Sequence, residues 1–310
     1  MTVDGRDMVL IEGGSFRMGS DEFYPDERPV HERRVDPFWI DRYEVTNEQF
    51  AEFVGATGYV TVAERELDPA AFPNADPADL VPGAMVFTPT SGPVDLGDWR
   101  GWWRWQPGAF WRSPFGPGSS IDERMQHPVV HVSFEDATSF AEWAGLRLPT
   151  EAEHEFASRG GIDGARFAWG EEPYPGGVAQ ANSWLGRFPY DNQGVGGTAE
   201  VGTYPANGFG LFDMIGNVWE WCWNYSDTAR YGDYRSLRGG GWADPEWSCR
   251  SSVRRGSAPD AVLEDIGFRV ARGAVGEPGA QAAQGWSAEA DKQRARVRGP
   301  LPVGWTPLRA

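Results

Sequence analysis

Glycine and proline, 40 and 24 of the 310 residues, together take roughly one position in five. Neither suits the interior of a long helix. Glycine loses the most backbone entropy on ordering, and proline lacks an N–H and clashes with the preceding turn. A chain interrupted this often builds short elements joined by turns. The space between them must then be filled by large side chains, and 16 Trp, 17 Phe and 9 Tyr are available. The expectation is an α+β fold, rich in loops and poor in regular secondary structure.

Other counts exclude whole classes. Two cysteines, Cys222 and Cys249, allow at most one bridge, so neither a disulfide scaffold nor a zinc finger is possible. The net charge of −17 argues against nucleic-acid binding, which needs a positive face. Mean hydropathy is −0.50 and no stretch of about 18 apolar residues occurs, so no membrane association is expected. The start, Met1–Asp7, has no basic patch ahead of an apolar core. With so few cysteines, the expected compartment is the cytoplasm. Lysine occurs once, at Lys292, and every other cation is arginine.

Local signals place the elements. Short apolar stretches around Glu12-Gly13-Gly14 predict a hairpin over Val9–Met18, and Val35–Asp41 reads as the next strand. Three helix starts follow from capping boxes: Thr46 with Gln49, Ser133 with Asp136, and Thr150 with Glu153. Later residues predict strands and loops. Gly92–Gly118 holds Trp99, Trp102, Trp103, Trp105, Phe110, Trp111 and Phe115 among Arg100, Arg104 and Arg112. These rings either fill the core or line an aromatic groove for a peptide, with arginines at the rim. Residues 1–272 are expected to form one domain. From Gly273 to Ala310, with Lys292, Arg294, Arg296 and Arg298, a mobile basic tail is expected.

Common catalytic motifs are absent: no P-loop, no G-x-S-x-G, no H-E-x-x-H, no C-x-x-C. His127 and His131 are separated by three residues and read either as core histidines or as half of a metal site. Asp213 and Glu220 bracket the Gly216 turn, an arrangement that serves either turn capping or a hard cation.

Several segments then occur together and in order. They are Gly13–Ser20, Tyr43-Glu44-Val45-Thr46-Asn47, His127–Ser133, Arg147–Glu153, the Gly-Asn-Val-Trp-Glu-Trp run Gly216–Trp221, and Gly267-Phe268-Arg269. Together they resemble the formylglycine-generating enzyme (sulfatase-modifying factor) family, over about residues 9 to 272. The insert ending Pro107–Arg112 resembles the branch that makes formylglycine.

The resemblance implies a variant of the C-type lectin fold with little regular structure. It also implies oxidation of a cysteine in a C-x-P-x-R peptide of a sulfatase, using oxygen and a copper(I) ion held by two cysteines five residues apart. The corresponding run here is Arg238–Arg250, in which the second cysteine is matched by Cys249, the first by Asp244, and the turn serine by Gly241. Copper(I) prefers two soft thiolates, so a Cys249–Asp244 pair is a poor substitute unless the fold brings Cys222 close. By the same resemblance calcium is expected at the side chains of Asp213 and Glu220 with the carbonyls of Gly216 and Val218. A second calcium is implied at Asn182 and Ser183, but the loop Asp191–Gly197 lacks the matching aspartate. The substrate groove is expected at Trp102, Trp103, Trp105, Trp111 and Arg112.

Two readings follow: a formylglycine-generating oxidase acting through Cys249, or a relative that keeps the groove to bind a peptide or protein without oxidising it. An oxidase of small thiols from the wider superfamily ranks third, because its histidine-rich iron site and additional helical domain have no counterpart here.

Overall fold

A computed structural model describes residues 2–3, 5–67, 69–71 and 80–273. The expected basic tail lies, from residue 274 on, outside the described residues.

The strands in chain order are β1 (Thr2–Val3), β2 (Arg6–Ile11), β3 (Gly14–Met18), β4 (His31–Val35), β5 (Phe38–Asp41), β6 (Gly83–Phe87) and β7 (Trp103–Pro107). They continue with β8 (Gly186–Arg187), β9 (Asp191–Asn192), β10 (Trp219–Tyr225), β11 (Arg235–Arg238), β12 (Arg254–Ser257), β13 (Ile266–Gly267) and β14 (Ala271–Gly273). One sheet has the order β1-β2-β5-β14 and a second β12-β11-β10-β13; β3-β4, β6-β7 and β8-β9 are two-stranded. The helices are α1 (Asn47–Thr57), α2 (Phe134–Trp143), α3 (Glu151–Ser158) and the short α4 (Thr228–Tyr231). The α+β character and the brevity of every element agree with the glycine and proline content. Among the described residues no helix is long and apolar enough to cross a membrane.

All three capping boxes form. Thr46, Ser133 and Thr150 each accept a hydrogen bond from the backbone N–H three residues on, and the side chain there reaches back. These reciprocal bonds satisfy donors that a helix start otherwise leaves open. Each helix then turns its apolar side inward: Phe50 and Phe53 of α1 meet Phe140 of α2 and Phe268 in one aromatic cluster.

The hairpin expected over Val9–Met18 does not form. β2 pairs with β5, while β3 pairs with β4, so the chain changes sheets at Gly13. A Cβ there would lie 2.3 Å from the Val35 carbonyl oxygen, at a φ of +73°. The glycines mark a crossover where two backbones touch, not a two-strand turn. Val35–Asp41 likewise splits into the end of β4 and all of β5, because Asp36-Pro37 breaks the ladder between two sheets.

Buried arginine–carboxylate forks tie distant segments together. Arg250 holds Glu27 at 2.6 and 2.7 Å, Arg254 holds Glu151 at 2.8 Å twice, and Arg269 holds Glu220 at 2.7 Å twice. Glu155 is shared by Arg159 and Arg238. Such bidentate geometry requires a planar guanidinium, which accounts for an interior built with arginine in a chain that has one lysine.

Candidate functional site

An aromatic groove of about 380 Å³ opens where β10, β12 and the β6-β7 ribbon meet the Pro25–Glu27 turn. Its walls include Trp99, Trp102, Trp103, Phe188, Trp219 and Tyr234, and Asp244, Asp265, Ser248 and Arg255 lie among them as the polar set. Phe188 is the hub of one wall, with its ring centroid 5.1 Å from that of Trp102 and 5.2 Å from that of Trp184.

Only part of the expected groove is there. Trp102 and Trp103 line it. Trp105 is half-buried on β7 and donates its indole N–H to the Val81 carbonyl at 3.1 Å. Trp111 is buried in the core against Phe50, ring centroids 5.2 Å apart, and Arg112 stacks on Trp111 at 4.6 Å. These last three do not line the groove. Trp105 is held by the Val81 carbonyl, and Trp111, beyond the turn after β7, is buried in the core.

Cys249 ends the 3-10 turn Glu246–Ser248 and is buried. Its Sγ lies 3.6 Å from the Gly241 carbonyl oxygen and 3.7 Å from that of Asp244. Burial, then the nearby Asp244, push its thiol well above the ordinary range. Gly240 makes this closeness possible: a Cβ there would stand 2.8 Å from Sγ. The Asp244 carboxylate accepts the Trp219 indole N–H at 2.7 Å and the Gly241 N–H at 3.3 Å.

Cys222 does not complete a pair. It sits within β10, two residues beyond Glu220, whose register partner is Arg238. Gly240, against Cys249, lies two residues beyond Arg238 in the antiparallel direction. The two thiols have different neighbours: Cys222 Sγ stands 3.9 Å from the Glu220 carbonyl oxygen, and Cys249 Sγ stands by those of Gly241 and Asp244. Both are free and buried. The donor set beside the groove is one protonated thiol and one carboxylate already accepting two N–H bonds. It does not fit a two-thiolate copper(I) centre.

His127 and His131 each bond a neighbouring group of the fold. The His127 ring bonds the Thr198 hydroxyl at 2.9 Å, and the buried His131 ring meets the Pro114 carbonyl at 2.8 Å, with burial holding its pKa down to about 4.

The expected calcium loop joins two motifs. Glu220 of β10 gives both oxygens to Arg269, and His154 Nε2 stands 3.2 Å from it. Burial raises Glu220's pKa, but Arg269 and then His154 outweigh this and hold it down to about 2. Asp213 accepts the Gly202 N–H at 2.7 Å and is pushed up to about 6, mainly by burial. Glu44, which the sequence reading did not single out as a site residue, is a third carboxylate here. It accepts from Asn217 Nδ2 at 2.7 Å and the Val218 N–H at 3.3 Å, and burial, then Asp213 and Glu220, raise its pKa well above the usual range. Three buried carboxylates thus gather around the single buried guanidinium of Arg269. Among the described residues, however, no three His, Cys, Asp or Glu side chains converge as a metal-ligand group. Asn182 donates to the Gly197 carbonyl at 2.9 Å and to Asn217 Oδ1 at 3.0 Å. Ser183 is buried beside it, and the shortened loop returns to this point, but its Asn192 Oδ1 already accepts two backbone N–H groups.

Comparison with known proteins accords with this geometry. The sequence model of the "Sulfatase-modifying factor enzyme 1-like domain" matches residues 1–274. The chain belongs to the formylglycine-generating enzyme family. It is 55% identical over 260 residues to the formylglycine-generating enzyme of Mycobacterium tuberculosis H37Rv, covering 83% of each chain. It is 40% identical over 285 residues to "Inactive C-alpha-formylglycine-generating enzyme 2" of Bos taurus, covering 88% of this chain and 90% of that one. Among solved structures, PvdO from Pseudomonas aeruginosa matches with a TM-score of 0.58 at 26% identity, over 86% of this chain and 94% of that one. The fold is the family's variant of the C-type lectin fold. Relatives named as formylglycine-generating enzymes and one named as inactive both align along the chain, so overall similarity does not decide the chemistry.

The sequence reading missed Asp265, Arg255, Phe188 and Trp219 as groove residues. One signal was present: Glu264-Asp265 interrupts an otherwise apolar stretch from Ala261 to Phe268. Charges in such a stretch are either covered by partners or aimed at a ligand.

Proposed function

We propose that this chain is a member of the formylglycine-generating enzyme family that holds an extended polypeptide in its aromatic groove without carrying out the family's copper-dependent oxidation. The observation that carries this is the pairing of Cys249 with Asp244, where the family's oxidase branch has two cysteines. Cys222, whose thiol stands by the Glu220 carbonyl rather than by Asp244, does not replace the missing thiolate. An aromatic groove supports this reading, with Trp102, Trp103 and Trp219 giving rigid apolar surface that costs little side-chain entropy to order. A sulfatase-type C-x-P-x-R segment is the first polypeptide to test.

Calcium belongs to the same proposal. The excess of buried negative charge at Glu44, Asp213 and Glu220 over Arg269 fits a divalent cation, and bound calcium would offset it. Asp213 is the side-chain ligand in this reading, with the carbonyls of Gly216 and Val218. Glu220 is committed to Arg269 and contributes through its charge.

The test incubates copper-treated protein with a C-x-P-x-R peptide under oxygen and follows the peptide mass and tryptophan fluorescence. The expected result is saturable quenching with no aldehyde product and no stoichiometric copper(I). Aldehyde formation that disappears in Cys249→Ser would overturn the proposal and restore the oxidase reading.

A further inference from the structure

We propose that the groove is occupied by a segment of this same chain, Gly299–Ala310, which competes there with any incoming polypeptide. The site rests on the peptide-groove reading; the choice of occupant rests on the chain's own sequence and charge.

The mouth of the groove leaves apolar surface uncovered. Leu96 and Tyr24 line it and are 58% and 40% exposed. Tyr24 Oη and Ser248 Oγ are 3.1 Å apart, which brings the Glu246–Ser248 turn to the same mouth, and Trp247 on that turn is 55% exposed. Large apolar side chains grouped in this way mark a contact surface. Carboxylates stand among them: Asp26 lines the groove with its side chain 45% exposed, and the exposed Asp95 precedes Leu96. Such a mouth suits a partner that combines apolar bulk with positive charge.

The chain beyond β14 supplies that combination. Lys292 to Ala310 holds five cations and no acid, in a chain whose net charge is −17. Within it Gly299–Ala310 carries Pro300, Pro302, Trp305 and Pro307. Proline fixes φ at about −65° and has no N–H to leave unpaired, so seating such a segment costs little entropy, while the indole brings a large apolar face. Trp305-Thr306-Pro307-Leu308-Arg309 also repeats the proline and arginine spacing of the C-x-P-x-R peptide, with an indole in place of its thiol. That occupant has nothing to oxidise. The reach suffices as well: β14 ends at Gly273, and residues 274–298 can span up to about 80 Å. A domain of this size has a radius of gyration of about 18 Å, so each face is accessible. Tethering sets an effective concentration on the order of 1 mM. An intrinsic dissociation constant of about 0.1 mM then fills the groove roughly nine-tenths of the time and weakens an external peptide about tenfold.

Two measurements on the full chain test this. In the first, a fluorescein-labelled C-x-P-x-R peptide is titrated by anisotropy against the wild type and the double variant Trp305→Ser, Arg309→Ser, both checked for folding by thermal melting. The variant is expected to bind about tenfold more tightly. In the second, benzoylphenylalanine at position 305 is photo-cross-linked in a mixture of light and heavy-isotope copies, and the attachment sites are mapped by mass spectrometry. Links to Tyr24, Leu96 or Trp102 within one copy are expected. Equal peptide affinity of wild type and variant overturns the inference and leaves the peptide reading standing. Links outside the groove, links joining light to heavy copies, or no links overturn it as well. If neither protein binds the peptide while position 305 links to the groove of its own copy, the segment's place stands and the capture of external peptides falls.

Discussion

Replacing Glu27 by glutamine removes one charge and almost no volume, and the structure gives the cost a definite source. Glu27 accepts from both Nη atoms of Arg250 at 2.6 and 2.7 Å and from the Ser252 hydroxyl at 2.6 Å. Both members of the ion pair are at most 2% exposed, and the Phe23 ring closes over Arg250 at 3.7 Å. Glutamine keeps one acceptor oxygen but leaves the guanidinium without its counter-charge. Breaking a buried pair from one side costs ~3–5 kcal/mol, and the retained acceptor argues for the lower end, ~3 kcal/mol. In a domain of this size each kcal/mol moves the melting midpoint by ~2–4 °C, so Glu27→Gln should melt ~6–12 °C below wild type. Differential scanning calorimetry, backed by urea unfolding, measures it. The double variant Glu27→Leu, Arg250→Met removes both charges and should recover most of the loss, because the penalty lies in the stranded charge rather than in the missing attraction. A single variant melting within ~2 °C of wild type, or a double variant no better than the single, refutes the reasoning. Function is linked to the same pair: Tyr24, Pro25 and Asp26 form one wall of the groove, and Arg250 adjoins Cys249. The bridge fixes that wall to the thiol segment.

Two further outcomes are expected. Glu264 is buried, and mainly for that reason its pKa is pushed up to about 7 from 4.5. Its folded value lies above its unfolded one, so its own contribution to stability is fullest below pH ~4.5, declines as pH rises through about 7 and is level above that. The full swing from this group is on the order of 3 kcal/mol; Glu264→Gln should reduce the slope of stability against pH in urea unfolding across pH 5 to 8, with the neighbouring Asp265 still contributing, and an unchanged profile counts against this assignment. Calcium at Asp213 should raise the melting midpoint relative to excess chelator, and Asp213→Asn should abolish the difference; identical midpoints for the wild-type protein in both conditions exclude calcium there.

Much of this molecule was legible in its sequence wherever cause and effect lie close along the chain. A capping box needs residues three apart, so Thr46, Ser133 and Thr150 could each be read as helix starts, and each is one. The glycine and proline content forced short elements, and the family resemblance placed Asp244 where the oxidase branch has a thiol. The hairpin at Gly13 was misread because a turn and a crossover use the same glycines, and only the backbone of Val35 against Gly13 tells them apart.

The groove and its charges belong to the tertiary structure. Trp102 and Trp105 are equivalent by composition, yet one lines the groove and the other does not, because their places beside and within β7 face different surroundings. Arg269 could be recognised as part of a motif, but its pairing with Glu220, 49 positions away, depends on β13 lying beside β10. The same holds for Asp265 beside Asp244. A sequence states which charges exist; the low-dielectric interior determines which of them meet, and therefore which are answered.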